Sequence, residues 1–535
     1  MTSKTQSIKL SDIYFGHSDA KNELMENSEK QRIYFKESFI IPNNVDIKYF
    51  YNGGKSFIYG LKGTGKTALL RYLSIMFEDI YNTKSLFILF KENIKEEDKK
   101  NFARASSYFD SNQFEQNVDN DQNFEEVWRW FFHRSLVEYI ESESYNVFED
   151  DENWRKYKKH VLSLEIDEQK SGLRALIPNI KKGEVKVKAG EVGELGLDFE
   201  FTDQSKTKVK FNTVVKICDK YFENLVPTGD RLYIYIDEIE LSYTTKKEYN
   251  RDARLIRDLV IAVDRFNRFC RLNKFNVFII SAIRSEVLTA IESTGKEINK
   301  IIEDFGIPIS WHRFEGDYKE HPLIKIILRK IRLAEQSYFN EKCLLTDDEL
   351  WDKYFDLMVQ NQETEKYILY NTWYRPRDIV RLMNIAQQIY PDNIKLSHNV
   401  FDGIRKTYSA KCWTELLEEI RAVYSSKQLE ALCQIFNGFT QYFSFAEINT
   451  RVDKLIEYDS DVQNLIYEHK LSNILKSLYS AGVIGNIYKF ETRDRNGKMK
   501  EKSRIRFVFR GDENLLLDRN MMIHNALKQY LSLEN

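Results

Sequence analysis

The stretch SFIYGLKGTGKTALLRYLSIMF (Ser56–Phe77) decides the fold. Within it Gly60, Gly65, Lys66 and Thr67 match G-x-x-x-x-G-K-[ST], the phosphate-binding loop. Phe57, Ile58 and Tyr59 read as a short buried strand ahead of the loop, and Leu69, Leu70, Leu73, Met76 and Phe77 fall at helical spacing behind it. Strand, glycine loop and helix is the order this motif requires. Gly60, Gly63 and Gly65 let backbone N–H groups curl around an anion with no Cβ in the way, and the new helix turns its positive end to the same place. Thr64 and Ala68 complete the run of amides. Lys66 adds a full charge for the β- and γ-phosphates, and the Thr67 hydroxyl suits Mg²⁺. A glycine-rich turn that matches by coincidence is the alternative, and the flanking strand and helix weigh against it. ATP and Mg²⁺ are the cofactors expected.

The chain is long enough for two to four domains at about 100 to 200 residues each. Its 535 residues are 42% hydrophobic and 14% aromatic with seven prolines, which predicts a folded, helix-rich protein. A formal net charge of -2 advertises no nucleic-acid or membrane partner, so any such partner must meet a local patch. The start, MTSKTQSIKL, lacks an apolar core, and no apolar run approaches the roughly 18 residues of a membrane span. The expectation is a soluble cytoplasmic protein with no membrane partner. Five scattered cysteines fit reduced thiols, and eight histidines with no metal-ligand spacing predict no structural zinc.

Upstream of the loop, IYFGHSDAKNEL places Phe15 and Gly16 ahead of a charged helix. That segment either folds over the nucleotide base or packs on the domain in an ordinary way. Downstream, Ser85–Phe90 reads as a second buried strand, and there the alternation stops. Lys91 to Asp230 is a long insertion with an acidic polar run, aromatic helices such as VWRWFFHRSLVEYIES, and GEVKVKAGEVGELGLDFEF. In that last stretch Val185 and Val187, then Leu195, Leu197, Phe199 and Phe201, alternate around Gly190 and Gly193 and predict a hairpin. The insertion carries no catalytic constellation, so its default reading is a partner-facing or regulatory subdomain contacting another protein.

The strand pattern resumes in LYIYIDEIE, where Leu232–Ile236 precede Asp237 and Glu238. Asp237 at a strand's carboxyl end can hold Mg²⁺ through water, and Glu238 can deprotonate an attacking water. A solvated turn is the bland alternative, and the upstream loop argues against it. A further buried strand, FNVFIIS, is expected to end at Ser281, a polar strand tip that feels the γ-phosphate with Arg284 just beyond; a last strand spans about Ile307–Phe314. Five such strands imply an α/β fold, a P-loop NTPase parallel sheet core with helices on both faces and the ligand at the strands' carboxyl ends. From His321 to about Tyr424 the chain is helical, with Pro376 suited to the first turn of a helix that starts between Arg375 and Arg377. After Ser425, three helices, a two-stranded hairpin with a basic turn, and a closing helix over ENLLLDRNMMIHNALKQYL follow in the order of a winged helix. The boundaries expected are a core of 1–90 and 231–320, an inserted subdomain of 91–230, a helical lid of 321–424 and a C-terminal winged helix of 425–535.

In this order the motifs resemble the AAA-related branch of P-loop ATPases with an added catalytic glutamate. In detail the chain is similar to an uncharacterised group of bacterial ATPases that share F-G-x-x-D-A, G-x-K-G-x-G-K-[ST] and R-P-R-D, here FGHSDA, GLKGTGKT and RPRD. The last element also resembles the lid arginine of KAP and STAND ATPases. The resemblance implies that Lys66 and Thr67 bind phosphate and Mg²⁺, Asp237 binds Mg²⁺, Glu238 activates water, Ser281 is a first sensor and Arg377 the lid sensor. No arginine holds an unmistakable finger position; Arg284 and Arg254 are the candidates, which leaves assembly into a homo-oligomer open. An ATP-hydrolysing switch or machine is the function so implied, and sensors or effector controllers, including some in defence against phage, are the family-level analogy. Two other readings stand beside it. One is an ATP-dependent DNA-binding protein, because Lys489–Arg510 holds nine basic residues against three acidic ones. The other is a nucleotide-holding scaffold that does not turn over.

Overall fold

The structure is a computed structural model that describes residues 6–24, 26, 28–100, 124–163, 184–188, 206–242, 245–292, 294–295, 297–312, 317–421, 423–493, 499–508 and 514–534. The chain forms two compact units: a sheet unit of residues 44–62 and 66–309, and a helical unit of residues 1–43, 63–65 and 310–535.

The sheet unit is built on five parallel strands, β1 (Phe57–Gly60), β2 (Lys84–Leu89), β3 (Leu232–Asp237), β4 (Val277–Arg284) and β5 (Gly306–Pro308), in the order β2-β3-β4-β1-β5. Every residue of β3 is buried, as expected for a central strand covered on both faces. The helix α1 (Lys66–Tyr81) leaves directly from the glycine loop. The insertion supplies α2 (Glu125–Glu143), α3 (Glu152–Leu162) and α4 (Phe211–Phe222), and the 27-residue α5 (Lys246–Leu272) follows β3. These inserted helices share one continuous apolar core with the sheet: Trp128, Phe131 and Phe132 of α2 and Phe222 of α4 join Leu255, Leu259 and Phe266 of α5 and Ile234 and Ile236 of β3. Phe222 lies 5.6 Å from Phe266 and 5.3 Å from Phe275, ring centre to ring centre, and Trp128 Nε1 donates to the Leu255 carbonyl at 2.9 Å. Aromatic helices of this kind have to bury their rings, and the sheet's covering helix is where they do so.

Three details differ from the sequence expectation. β4 does not end at Ser281: it runs to Arg284, because β1 continues beside it to Gly60, with Phe57 opposite Ser281 and Gly60 opposite Arg284. Ser281 is therefore fully buried within the strand, between Phe57 and Ile236, and Arg284 stands at the tip. The strand at Ile307 is only three residues long, and residues 313–316 of its expected continuation lie outside the described residues. In the insertion, Glu184–Lys188 pairs antiparallel with Lys206–Lys210, Val185 opposite Val209, rather than with the run around Leu195–Phe201, which lies outside the described residues.

In the helical unit, α6 (Pro322–Phe339), two shorter helices, α7 (Pro376–Ile389) and α8 (His398–Ile420) follow one another. Pro376 occupies the first turn of α7, with Arg375 as its extended N-cap residue. The N-terminal segment packs on α7: Gln387 Nε2 donates to the carbonyls of Leu10 and Ile13, and Asn384 Nδ2 to that of Gly16. Four helices, Ser426–Phe436, Phe445–Ile456, Ser460–Glu468 and Leu471–Ser480, accompany an antiparallel sheet of β6 (Tyr442–Phe443, between the first two helices), β7 (Ile484–Arg493), β8 (Met499–Arg506) and β9 (Met521–Ile523) in the order β6-β9-β7-β8. The closing helix expected over Glu513–Leu531 is not there. Met521–Ile523 pair with Ile484–Asn486 and with Tyr442–Phe443, and only a short 3₁₀ turn at Asn525–Leu527 follows.

Candidate functional site

β1 delivers the chain to Gly60, and α1 starts at Lys66, so the loop between them has to reverse within five residues. Gly63 and Gly65 take φ of 80° and 93°, a region that side chains disfavour, which is why the loop is glycine there. The Lys66 ammonium is buried and donates to the carbonyls of Gly60 and Leu61, each at 2.8 Å. Thr67 and Ala68 follow in the first turn of α1, whose leading N–H groups have no partner within the helix.

Two strands away, β3 ends at Asp237, which is buried; its Oδ1 accepts the Glu238 N–H at 2.8 Å. Glu238 has a φ of 57°, left-handed backbone that is uncommon for a glutamate and that redirects the chain as the strand stops. Arg71, one turn into α1 beyond Thr67, feels both carboxylates. Burial lowers its pKa, and the charges of Asp237, Glu238 and Glu78 oppose that shift. Its guanidinium also lies 3.8 Å from the Phe87 ring centre. Between these strands, the buried Ser281 hydroxyl has no hydrogen-bond partner among the described residues. Arg284 is held by Glu240, which also takes Lys91 at 3.1 Å, while Arg254 lies on α5, half-buried.

Within the helical unit, Gly63–Gly65 lie against Trp311 and the Arg375–Arg377 turn: Trp311 Nε1 donates to the Thr64 carbonyl at 2.9 Å and the Arg377 N–H to that of Gly63 at 3.4 Å. The Arg377 side chain donates to the Ser18 carbonyl at 2.9 Å and to Glu415 at 3.2 Å, and Arg381 joins the same carboxylate. Arg375 is buried, and its Nε lacks a hydrogen-bond partner among the described residues.

These residues suit a magnesium nucleotide. The loop offers backbone donors where a Cβ would intrude, Lys66 a buried cation, Thr67 and Asp237 the hard oxygens that Mg²⁺ takes alongside phosphates, and Ser281 an orphaned hydroxyl. Among the described residues no three His, Cys, Asp or Glu side chains converge as a protein-only metal site. Sequence reading missed Arg71, Glu240 and Glu415. Arg71 had a legible signal, its position four residues after Thr67 on the same helical face.

The sheet and its glycine loop define the class: an α/β P-loop NTPase fold. Comparison with known proteins adds the following. Residues 323–417, from α6 through most of α8, match the FunZ-associated C-terminal helical domain. A protein of Escherichia coli (strain K12) described as putative transposon gamma-delta 80.3 kDa protein is 23% identical over 314 residues, 57% of this chain and 42% of that one. The match thus spans about two-fifths of the relative's length. The crystal structure of Cdc6p from Pyrobaculum aerophilum aligns over 98% of both chains at 11% identity with a TM-score of 0.29. Among the described residues no helix is long and apolar enough to cross a membrane.

Proposed function

We propose that the protein is an AAA-related ATPase that binds ATP with Mg²⁺ and hydrolyses it, working as a switch or machine. One observation carries the reading: β1 and β3, which deliver the glycine loop and the Asp237–Glu238 pair, run parallel in one sheet with only β4 between them. Their carboxyl ends therefore lie along the same edge, where ligands of such sheets bind. In this reading the loop amides and Lys66 hold the β- and γ-phosphates, and Thr67 and Asp237 hold Mg²⁺, which neutralises charge developing on the phosphates. Glu238 takes the proton of the attacking water. Arg284, at the tip of the strand between, orients the γ-phosphate. Arg377 reads its presence from the helical unit and passes it on as a change of state. A sensor or effector role, phage defence included, extends the reading by analogy alone.

The test is ATP turnover by Glu238→Gln. It is expected to bind nucleotide normally and release phosphate about 100-fold or more slowly than wild type. Turnover at the wild-type rate would leave the base unassigned.

A second reading, contact with nucleic acid through the C-terminal module as a winged helix, is favoured by the basic strand β8, where Lys500, Lys502, Arg504 and Arg506 recur at every second position. The printed description of the Escherichia coli relative as a transposon protein points the same way.

A further inference from the structure

The register of the hairpin β7–β8 sorts its charges. Side chains directly opposite in an antiparallel pair share a face, as do residues two apart on one strand. Asn486 and Tyr488 stand opposite Arg506 and Arg504, and Phe490 follows two positions on, so one face carries two arginines beside two aromatic rings. The alternate positions set Ile487, Lys489, Glu491 and Arg493 opposite Ile505, Ser503, Glu501 and Met499, and there charges of both signs mix, with Lys489 and Glu501 paired at 3.0 Å.

The cationic face is also aromatic. Tyr488 has the Arg506 guanidinium 4.2 Å and the Arg519 guanidinium 5.4 Å from its ring centre. Phe490 is 47% exposed. Along β7 the third strand, β9, reaches only Ile484–Asn486, so the outer part of the hairpin projects as a two-stranded ribbon with β8 at the sheet's edge. Arginines on one face beside an exposed phenylalanine call for a ligand that is anionic and flat by turns.

We infer that this face of the hairpin binds single-stranded nucleic acid, with an unstacked base against Phe490 and phosphates on Arg504 and Arg506. The inference rests on the second reading above and narrows it. A duplex offers phosphates but keeps its base faces stacked inside, so it satisfies the cations and leaves Phe490 idle; a single strand satisfies both. The basic turn Asn496–Gly497 with Arg495 and Lys498, and Arg510, lie outside the described residues and are not needed.

The experiment is fluorescence anisotropy of the full chain with a labelled single strand of about 20 thymidines and with a duplex of similar length, at about 50 and 200 mM salt. Wild type is expected to bind the single strand about tenfold more tightly. Phe490→Ala should weaken single-strand binding about fivefold or more and leave duplex binding within about twofold, since stacking is what it removes. Arg504→Glu should weaken both and flatten the salt dependence, whereas Lys489→Ala on the opposite face should change neither. Phe490 and Arg504 are both exposed, and unchanged thermal unfolding confirms that their variants fold. Equal affinity for duplex and single strand, or an unaffected Phe490→Ala, overturns the single-strand inference and spares the second reading. No binding of either nucleic acid at low salt overturns both and points to an acidic protein partner.

Discussion

The phosphate loop and the β7–β8 hairpin both present positive charge to an expected phosphate ligand, by opposite means. Lys66 is buried, and its ammonium is held by two carbonyls of its own loop at 2.8 Å. Arg504 stands exposed on an edge strand, two positions from Arg506. A single buried charge in a preorganised ring of dipoles acts strongly and is hard to replace, whereas a row of solvated charges acts additively and yields by degrees. Substitutions in the sheet unit should therefore give large, all-or-none effects, and substitutions at charges near solvent should give graded ones.

The largest effect is expected at Lys66. Lys66→Ala should lower ATP affinity and turnover together by about 10³-fold, because the charge acts on phosphates in the ground and transition states alike. Isothermal titration and phosphate release measure the two. A loss of less than about tenfold would break the contrast, since the loop would then behave like the hairpin.

Next comes a residue that touches no ligand. Asn267 on α5 is buried, with Oδ1 accepting the Ile279 N–H at 2.8 Å and Nδ2 donating to the Ile279 carbonyl at 2.7 Å and to Ser56 Oγ at 2.9 Å. Its amide takes the place of ladder bonds just before β1 begins at Phe57. Asn267→Ala should therefore strand two buried backbone groups and cost about 3 kcal/mol in urea unfolding. A cost below about 1 kcal/mol would mean that water replaces the amide and that the sheet is less sealed than its burial implies.

A graded effect is expected at Arg377, whose side chain is shared between the Ser18 carbonyl and Glu415. Arg377→Ala should weaken ATP binding by about tenfold and ADP binding by much less, as removal of one charge-assisted contact would. Equal losses for the two nucleotides would leave Arg377 as a structural partner of Glu415 and remove its sensor role.

Where the sequence was legible, a local pattern carried the information. β3 reads as a strand because all six of its residues are buried and an apolar run ends in two acids. The glycine loop reads because its residue types have local reasons. The misreadings all depend on a distant partner. Ser281 looks like a stop in an apolar run, yet β1 pairs with the three residues beyond it. Met521–Ile523 falls within a stretch of helical composition, yet β7 claims it as a strand across more than thirty residues of chain. Arg71 looks like a solvated helix charge until β3 brings Asp237 and Glu238 to it. The nine cations of the hairpin region were countable, but that Arg504 and Arg506 share a face with Tyr488 and Phe490 required the register.

The smallest effect concerns protons, and it tests whether burial in both units has the same consequence. His133 on α2 is fully buried with Nε2 2.9 Å from Asp219 and Nδ1 2.8 Å from the Tyr157 hydroxyl. A neutral ring satisfies both, donating to the carboxylate and accepting from the phenol. Burial first, and then the Arg129 charge, lowers its pKa from 6.5 to about 3; Asp219 would favour a charged ring, but Arg129 already shares that carboxylate. His321, at the start of α6, is lowered to about 4 mainly by burial, opposed by its bond to the Trp311 carbonyl, while its Nδ1 accepts the Leu323 N–H. For a base whose folded pKa is depressed, the folded state binds fewer protons than the unfolded one. Stability is then complete above about pH 6.5 and falls as pH drops through the unfolded value toward 4 and 3. Between pH 7 and 6 each histidine should remove about 0.7 kcal/mol. Urea unfolding of wild type and His133→Gln at the two pH values isolates the effect, because other titrating groups are common to both proteins. The stability gap between them should narrow by about 0.7 kcal/mol on acidification, and His321→Gln should behave alike. A gap that widens as pH falls would mean that the folded protein holds the ring charged, with Asp219 outweighing burial.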